Sequence, residues 1–354
     1  GKSGIARRLI DWVLALTGRV PGSLGVATIG ASAMLGAISG SSVAAVAALG
    51  KTLYPKLMAS GYGRERAGGL LAASGAIDII IPPSIALILY GLAAEQSIPR
   101  LFMAGILPGL LIAAAMAGYI MIVAVRAGIP RTEGFDVSTV VRTTKAAAWG
   151  VLMPVVVLGG IYGGWFSPTE AGGVAAFYAM LVARFVYRSM SWREIVSAAA
   201  ESAILSAKIL IIVATAGVIT WLLTTQGVPQ SIIATIQALD MSAAQFLLCV
   251  NVLLLVTGCV LDPTSAILVL APLLVPIGMS LGVDPIHFGV VMSVNLAIGM
   301  FTPPFGLNLF VAQSVTGVPA HLLYRGVWPF VAVQIAALLV ITYVPAISLA
   351  LGGR

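Results

Sequence analysis

Apolar runs, each about 20 residues long, recur along almost the whole chain, from Gly22 to Leu351. Such a run can cross the hydrocarbon of a bilayer as a helix, which satisfies its own backbone hydrogen bonds there. Of the 354 residues, 60% are hydrophobic and only 9% are charged, and this excludes a soluble globular domain. The sequence therefore predicts an all-α polytopic membrane protein, with one transmembrane domain over residues 1–354.

The runs divide into two hairpins and a series of spans. A short amphipathic helix is predicted first, followed by a Gly/Ser-rich hairpin over 22–49 and, much later, a second hairpin over 246–281. The other predicted spans lie at 67–92, 101–125, 146–165, 171–187, 195–223, 289–314 and 327–350. The helices between 146 and 223 would form a connecting scaffold.

The basic residues are distributed unevenly between the two sides of this predicted topology. If the loop after the first hairpin is cytoplasmic, all but three of the 19 Lys and Arg residues fall on the cytoplasmic side. The exceptions are Arg100 and Arg354 on the other side and Lys208 within a span. This agrees with the positive-inside rule and accounts for the net charge of +7 without a nucleic-acid partner.

An internal repeat relates the two halves of the chain. Five residue pairs share one separation of 221 positions (303 − 82): Pro82 and Pro303, Pro83 and Pro304, Gly68 and Gly289, Gly105 and Gly326, Pro108 and Pro329. Gly36 and Ser42 likewise match Gly258 and Thr264 at 222 positions (258 − 36). Five spans separate the hairpins, and an odd number inverts the second copy. The pattern predicts an inverted-topology repeat of secondary-transporter type, with one copy at about 22–125 and the other at about 246–350.

Each copy contains a Pro-Pro pair inside a span, in "IDIIIPPS" and "IGMFTPPFG". Proline removes a backbone donor and disfavours helix in the residue before it, so each span should be two half-helices joined by unwound chain. Unwound chain at membrane depth is tolerated only where it lines a cavity or is buried in protein. Its carbonyls can coordinate Na⁺, and half-helix N-termini suit an anionic substrate.

The hairpin turns carry short polar side chains: Ser39, Ser41 and Ser42 in the first, and Asp262, Thr264 and Ser265 in the second. Small residues at these turns could serve helix packing alone. Asp78 and Asp262 are the two carboxylates expected near mid-membrane, where an ionisable group suggests function; a structural hydrogen bond to a helix end is the alternative. Lys208 and Glu201 are interpreted as a structural or interfacial pair. His287 and His321 are interpreted as ordinary loop residues.

Several long motifs occur in one order along the chain: "ISGSSVAAVAALG", "IIPPSIALILYG", "GGIYGGWFSPTEAGGVAAFYA", "LDPTSAILVLAPLLVPIG" and "NLAIGMFTPPFGLNLFVA". They resemble the large membrane subunit of tripartite ATP-independent periplasmic (TRAP) transporters. The resemblance implies a Na⁺-driven elevator-type symporter in the bacterial cytoplasmic (inner) membrane. It further implies two partners, a small four-helix membrane subunit and a periplasmic substrate-binding protein, and organic anions such as C4-dicarboxylates, 2-oxo acids or sugar acids as substrates. Two further helices would precede Gly1.

The same resemblance assigns site residues. One Na⁺ site would use Gly36, Ser39, Ser42, Asp78, Ile81 and Pro83, and the other Gly258, Thr264, Gly299 and Thr302. The substrate would lie near Ser39, Ser41, Ser42, Ser84 and Asp262. The chain departs from the family at two positions, because the family usually has Gly where Asp78 stands and Asp where Ala45 stands.

Other functions remain open at this stage. A related carboxylate/Na⁺ symporter of the divalent-anion type would work without a binding protein, and a passive channel would need no coupling ion. Two membrane aspartates could also form an intramembrane aspartyl protease. The Gly-x-Gly-Asp context of such a protease is absent, as are "HExxH" and "GxSxG" strings, so we expect the protein not to be an enzyme.

Overall fold

The computed structural model describes residues 5–129 and 136–352, so Lys2, Arg131 and Arg354, which belong to the predicted charge pattern, lie outside it. Within these ranges all regular structure is helical. The helices are α1 (Ile5–Thr17), α2 (Ser23–Ser39), α3 (Ser42–Ala59), α4 (Arg64–Ser74), α5 (Ile77–Ile80), α6 (Ile85–Ala93), α7 (Ile98–Arg126), α8 (Val137–Tyr162), α9 (Pro168–Leu181, continued by a π-helical turn at Val182–Val186), α10 (Trp192–Thr225), α11 (Val228–Ala238), α12 (Ala243–Val260), α13 (Pro263–Ser280), α14 (Pro285–Gly299), α15 (Leu307–Thr316), α16 (Ala320–Tyr343) and α17 (Ala346–Leu349).

Seven of the described helices are long and apolar enough to cross a membrane: α7, α8, α9 with its π-helical turn, α10, α12, α13 and α16. An eighth span is formed if α4–α5 and α6, which are bent by 45° at the first Pro-Pro pair, are counted together. The prediction of an all-α polytopic membrane protein is thus confirmed. The last span begins and ends earlier than predicted, at Ala320 and Tyr343, and Pro345 then separates it from α17. Helix α11 was not predicted.

The two Pro-Pro segments interrupt their helices as the missing backbone donors require. In the first, the helix ends at Ile80, Ile81 is extended, and α6 starts again after Ser84. In the second, α14 ends at Gly299 and α15 begins at Leu307. The intervening chain is held by hydrogen bonds from Gly306 N to Cys259 O (3.0 Å) and from Asn308 N to Met300 O (2.8 Å).

Close packing joins the two halves of the chain. Helices α4 and α16 approach so closely that a Cβ on Gly69 would overlap the carbonyl group of Gly326. The Tyr90 hydroxyl of α6 donates to Pro285 O at 2.6 Å, and its ring lies against Gly289 of α14. These contacts join the two halves of the chain in one buried core; Pro82 of the first Pro-Pro pair is buried as well, whereas Pro304 of the second is exposed. Helix α10 lies outside it, with only 6% of its most apolar 18-residue stretch buried.

The N-terminal helix α1 is amphipathic, as the sequence predicts. Its apolar face buries Leu9, Ile10 and Val13 against α2 and α8. On its polar face Asp11 lies 3.8 Å from Lys56, and the Trp12 indole N–H donates to Thr144 Oγ1 at 2.9 Å. The helix therefore ties the first hairpin to α8.

Candidate functional site

Three predicted substrate residues occupy the same structural position, the N-cap of a helix. Ser41 caps α3 by accepting from Ala44 N, Ser84 caps α6 by accepting from Leu87 N, and Asp262 caps α13 by accepting from Ser265 N at 3.1 Å. The Ser84 hydroxyl also donates to Ile79 O, the carbonyl one turn before the Pro-Pro pair. Since short oxygen-bearing side chains are preferred N-caps, these residues help to define where each helix begins.

These N-termini open into one cavity of about 380 Å³. Its wall includes Ser41 and Ser42 at the start of α3, Ala86 of α6, Pro263 of α13 and Leu307 of α15. A helix N-terminus carries partial positive charge and free N–H groups, so four of them around one space favour an anion. The two larger cavities, between α1 and α8 and between α9 and α10, are lined by no predicted site residue. Another cavity of about 390 Å³, beside the second Pro-Pro segment, is lined by Gly258 and Asp262.

Two charged side chains line the cavity of about 380 Å³, Asp262 from the second hairpin and Lys208 from α10. Asp262 is half-buried, and it accepts from Ser265 Oγ at 2.7 Å in addition to the backbone bond. It is therefore both a structural cap and part of the cavity wall. Lys208 therefore adds a positive charge to the cavity, whereas Glu201, the residue predicted to pair with it, lines a groove between α9 and α10.

The first predicted Na⁺ site lies where α2 meets the unwound chain. Gly36 packs on Asp78 so tightly that a Cβ on Gly36 would lie 2.5 Å from the Asp78 Cα. Asp78 is completely buried; its Oδ1 lies 2.9 Å from the Ser32 hydroxyl, and its Oδ2 has no hydrogen-bond partner. A glycine at 36 is thus required for the approach, and an unpaired carboxylate oxygen lies beside it.

The Ser42 hydroxyl at this site is supported from the other half of the chain. Asn308 of α15 donates from Nδ2 to Ser42 Oγ at 2.6 Å and to Ala72 O at 3.2 Å, and all of its side chain is buried. Gly75 allows the approach, since a Cβ there would lie 2.7 Å from Ser42 Oγ. The position of Ser42 therefore depends on both Pro-Pro segments.

The remaining members of the first site lie around the hairpin turn. Ser39 is exposed, and its Oγ accepts from Ser41 N at 3.3 Å. Gly40 adopts a left-handed conformation (φ 59°), and a Cβ there would lie 3.3 Å from Pro83 O. Ile81 and Pro83 belong to the unwound chain itself. The hairpin turn and the carbonyl-bearing loop therefore face each other.

The second predicted Na⁺ site repeats the close approach of the first. Gly258 and Gly299 are in contact, and a Cβ on Gly299 would lie 2.5 Å from the Gly258 Cα. Thr302 follows in the unwound chain, and its hydroxyl donates to Ile298 O at 2.7 Å. Thr264 is half-buried at the start of α13. Here a glycine occupies the position that corresponds to Asp78, and a carboxylate, that of Asp262, lines a neighbouring cavity together with Gly258.

Known proteins match the chain over its whole length. Residues 1–347 match the family described as "Tripartite ATP-independent periplasmic transporter, DctM component". The chain belongs to this family. It is 42% identical to the C4-dicarboxylate TRAP transporter large permease protein DctM of Pseudomonas aeruginosa, over 98% of this chain and 82% of that protein. The 2,3-diketo-L-gulonate TRAP transporter large permease protein YiaN of Escherichia coli is 36% identical, over 97% of this chain and 80% of its own length.

A third relative joins two permease components in its name. The isethionate TRAP transporter permease protein DctMQ of Oleidesulfovibrio alaskensis is 39% identical over 100% of this chain and 56% of that protein. The named relatives are transporter subunits and not enzymes, so the protease alternative is set aside. This TRAP large permease is a multi-pass protein of the bacterial inner membrane and works with the other TRAP components.

Two residues that the sequence did not reveal belong to the site. Asn308 holds Ser42 from 266 positions away, and Lys208 lines the substrate-sized cavity. An ionisable residue in an apolar span was the available signal for Lys208. The interpretation of His287 as a loop residue was wrong: it lies in the first turn of α14, 1% exposed, with Nε2 at 3.1 Å from Thr342 O. His321 also lies within a helix, at the start of α16.

Proposed function

We propose that this TRAP large permease imports a small organic anion by Na⁺ symport. The observation that carries the proposal is the convergence of four helix N-termini and Lys208 on one cavity of about 380 Å³. Partial positive charges and a lysine favour a carboxylate there, and the volume suits a small metabolite. The names of the relatives support the same class, since they include a C4-dicarboxylate and a sugar acid, 2,3-diketo-L-gulonate.

The proposal includes two Na⁺ sites, one at each close approach between a hairpin and an unwound segment. Gly36 against Asp78 and Gly258 against Gly299 are equivalent pairs, separated by 222 and 221 positions (258 − 36, 299 − 78). Ser41 and Asp262, both caps of the second helix of a hairpin, are also 221 apart (262 − 41). These correspondences support an inverted-topology repeat with two re-entrant hairpins.

The repeat suggests an elevator movement. The two hairpins and the two broken helices would move as one body against the scaffold helices, and carry the substrate between the two sides of the membrane. Helix α10 belongs to the scaffold in this scheme. Lys208 would therefore contact the substrate only when the moving hairpins and broken helices lie opposite α10.

Two partners complete the transporter that we propose: a small four-helix membrane subunit and a periplasmic protein that delivers the substrate. The name of the joined DctMQ relative supports the first of them.

The test is uptake into proteoliposomes that contain the large and small subunits, with the binding protein outside. Radiolabelled succinate, pyruvate and gluconate sample the three substrate classes. We expect one of these compounds to accumulate when an inward Na⁺ gradient is imposed, and we expect its accumulation to stop when the gradient is collapsed. Uptake that ignores Na⁺ would contradict the proposal. Full uptake without the binding protein would favour the divalent-anion type of symporter.

A further inference from the structure

The two proposed cation sites differ where the hairpin meets the unwound chain, because the first has a completely buried carboxylate there, Asp78, and the second has a glycine. The repeat-equivalent position of Asp78 is Gly299, which has no side chain (299 − 78 = 221). Asp78 is 0% exposed and lies in the short α5, directly before the first Pro-Pro pair. A carboxylate in such a place needs compensation, because burial removes it from water.

Hydrogen bonds supply little of that compensation. A carboxylate offers about four acceptor positions, yet the Ser32 hydroxyl is the one donor recorded for Asp78 in the described chain. That hydroxyl is shared, since Ser32 Oγ lies 2.9 Å from Asp78 Oδ1 and also 2.9 Å from Ser74 O. A hydroxyl has one hydrogen to give, so Asp78 receives at most one hydrogen bond, and Oδ2 receives none.

Ion pairing does not compensate it either. The described salt bridges join Lys56 to Asp11 and Arg325 to Glu65, and neither involves Asp78. Lys208 lines the proposed substrate cavity, and Asp78 is not part of the wall of that cavity. Gly36 packs directly on this carboxyl group, since a Cβ there would lie 3.1 Å from the Asp78 Cγ. The carboxylate is thus buried, unpaired and placed at a proposed cation site.

We propose that the cation at the first site is resident: Asp78 Oδ2 holds one Na⁺ through the whole transport cycle, and the Na⁺ that is released comes from the second site. The inference rests on the proposed Na⁺ symport. If the empty carrier returned with Asp78 unpaired, a bare carboxylate would cross the membrane, which is costly. The Gly258–Gly299 site has no completely buried carboxylate, since Asp262, which lines a cavity with Gly258, is half-buried and accepts two hydrogen bonds from Ser265. This site can therefore be emptied on each cycle.

The first test counts bound ions in the wild-type complex of large and small subunits. Purified complex is loaded with ²²Na⁺ and chased with unlabelled Na⁺ in the presence of substrate. We expect about half of the bound label to leave at the rate of transport turnover, because one of two ions is released, and the other half to exchange much more slowly. Loss of all label at the turnover rate would overturn the inference.

Variants at the two sites distinguish the resident Na⁺ of the first site from the released Na⁺ of the second. Asp78→Gly recreates the neutral second site, and Asp78→Asn keeps the shape without the charge. Both should lose the tight, slowly exchanging ion, with a fall in Na⁺ affinity of about ten- to a hundredfold, as expected for a charge-assisted contact. Their uptake should depend on two Na⁺ instead of one. Thr302→Val is the matched control at the second site and should weaken the exchangeable ion only.

Three results would contradict the inference in different ways. Wild-type uptake with a Hill coefficient near two, as for Asp78→Gly, would show that both ions are released, while Na⁺ symport itself stands. Tight binding retained by Asp78→Asn would show that the charge is not the ligand. Absence of ²²Na⁺ binding together with Na⁺-independent uptake would overturn the proposed function and this inference together.

Discussion

Replacing Asn308 by leucine should weaken both the fold and the first cation site. The substitution keeps most of the volume but removes the donors to Ser42 Oγ and Ala72 O. Each hydrogen bond contributes a net of about 0.5–1.5 kcal/mol, so about 1–3 kcal/mol is lost. The buried Oδ1 of Asn308 has no hydrogen-bond partner, so removing it stabilises the folded protein by about 1 kcal/mol. The free energy of unfolding should therefore fall by up to about 2 kcal/mol.

The effect on Na⁺ comes from Ser42. Without the Asn308 donor its hydroxyl can rotate, and orienting it again for the ion should cost about 1 kcal/mol, which is roughly a fivefold loss of Na⁺ affinity. The assay is thermal unfolding of the purified complex at a series of Na⁺ concentrations, because a bound ion raises the unfolding temperature according to its affinity.

Gln334→Leu is the matched control. Gln334 is also 0% exposed, donates from Nε2 to Ala73 O at 3.2 Å and to Met116 Sδ at 2.9 Å, and leaves Oε1 unpaired. It makes no recorded contact with Ser42. We expect a similar loss of stability with Na⁺ affinity unchanged. If both variants reduce Na⁺ affinity equally, or if neither does, the role of Asn308 in positioning Ser42 is refuted.

Three further pairs of substitutions test the rest of the site. Gly299→Ala should destabilise the protein more than Gly258→Ala. A Cβ on Gly299 would lie 2.5 Å from the Gly258 Cα, whereas a Cβ on Gly258 would have its nearest contacts at 3.1 Å. Equal unfolding temperatures of the two variants would contradict this. Asp262→Ser keeps a capping oxygen, so this variant should fold normally but transport poorly. Asp262→Ala should transport poorly and also lose about 0.5–2 kcal/mol of stability. Wild-type uptake by the serine variant would count against a role of Asp262 in transport. Lys208→Gln should raise the apparent KM for the anion about tenfold, as loss of a hydrogen bond to a charged group does. An equal rise in Arg193→Gln, an exposed position at the start of the same helix, would refute a specific contact.

Local chemistry made the broken segments predictable from the sequence. Proline acts on its own backbone and on the residue before it, so the interruptions near Ile81 and Met300 could be located without any tertiary information. The family resemblance placed Gly36 and Asp78 in one site, and the structure brings these residues into contact. Helix ends were less predictable, because caps such as Ser242 and Asp284 extend a helix beyond its apolar run.

The remaining features depend on packing between distant helices. Lys208 and Glu201 are seven residues apart on one helix, and the sequence alone gives no means of knowing that one lines the central cavity and the other a separate groove. Asn308 reaches Ser42 from 266 positions away, and no local pattern records such a contact. His287 looked like a loop residue because it follows Asp284 and Pro285, but Asp284 caps α14 and so places His287 inside the helix.

The contact between Asn308 and Ser42 also constrains how the protein is made. At a synthesis rate of about 5–20 residues per second, the 266 residues between them take roughly 13–53 s to translate. During that time the first hairpin has left the ribosome without the amide that supports Ser42. The close approach of Gly69 to Gly326 is delayed in the same way. The N-terminal half therefore reaches its native packing only after the C-terminal half has been inserted.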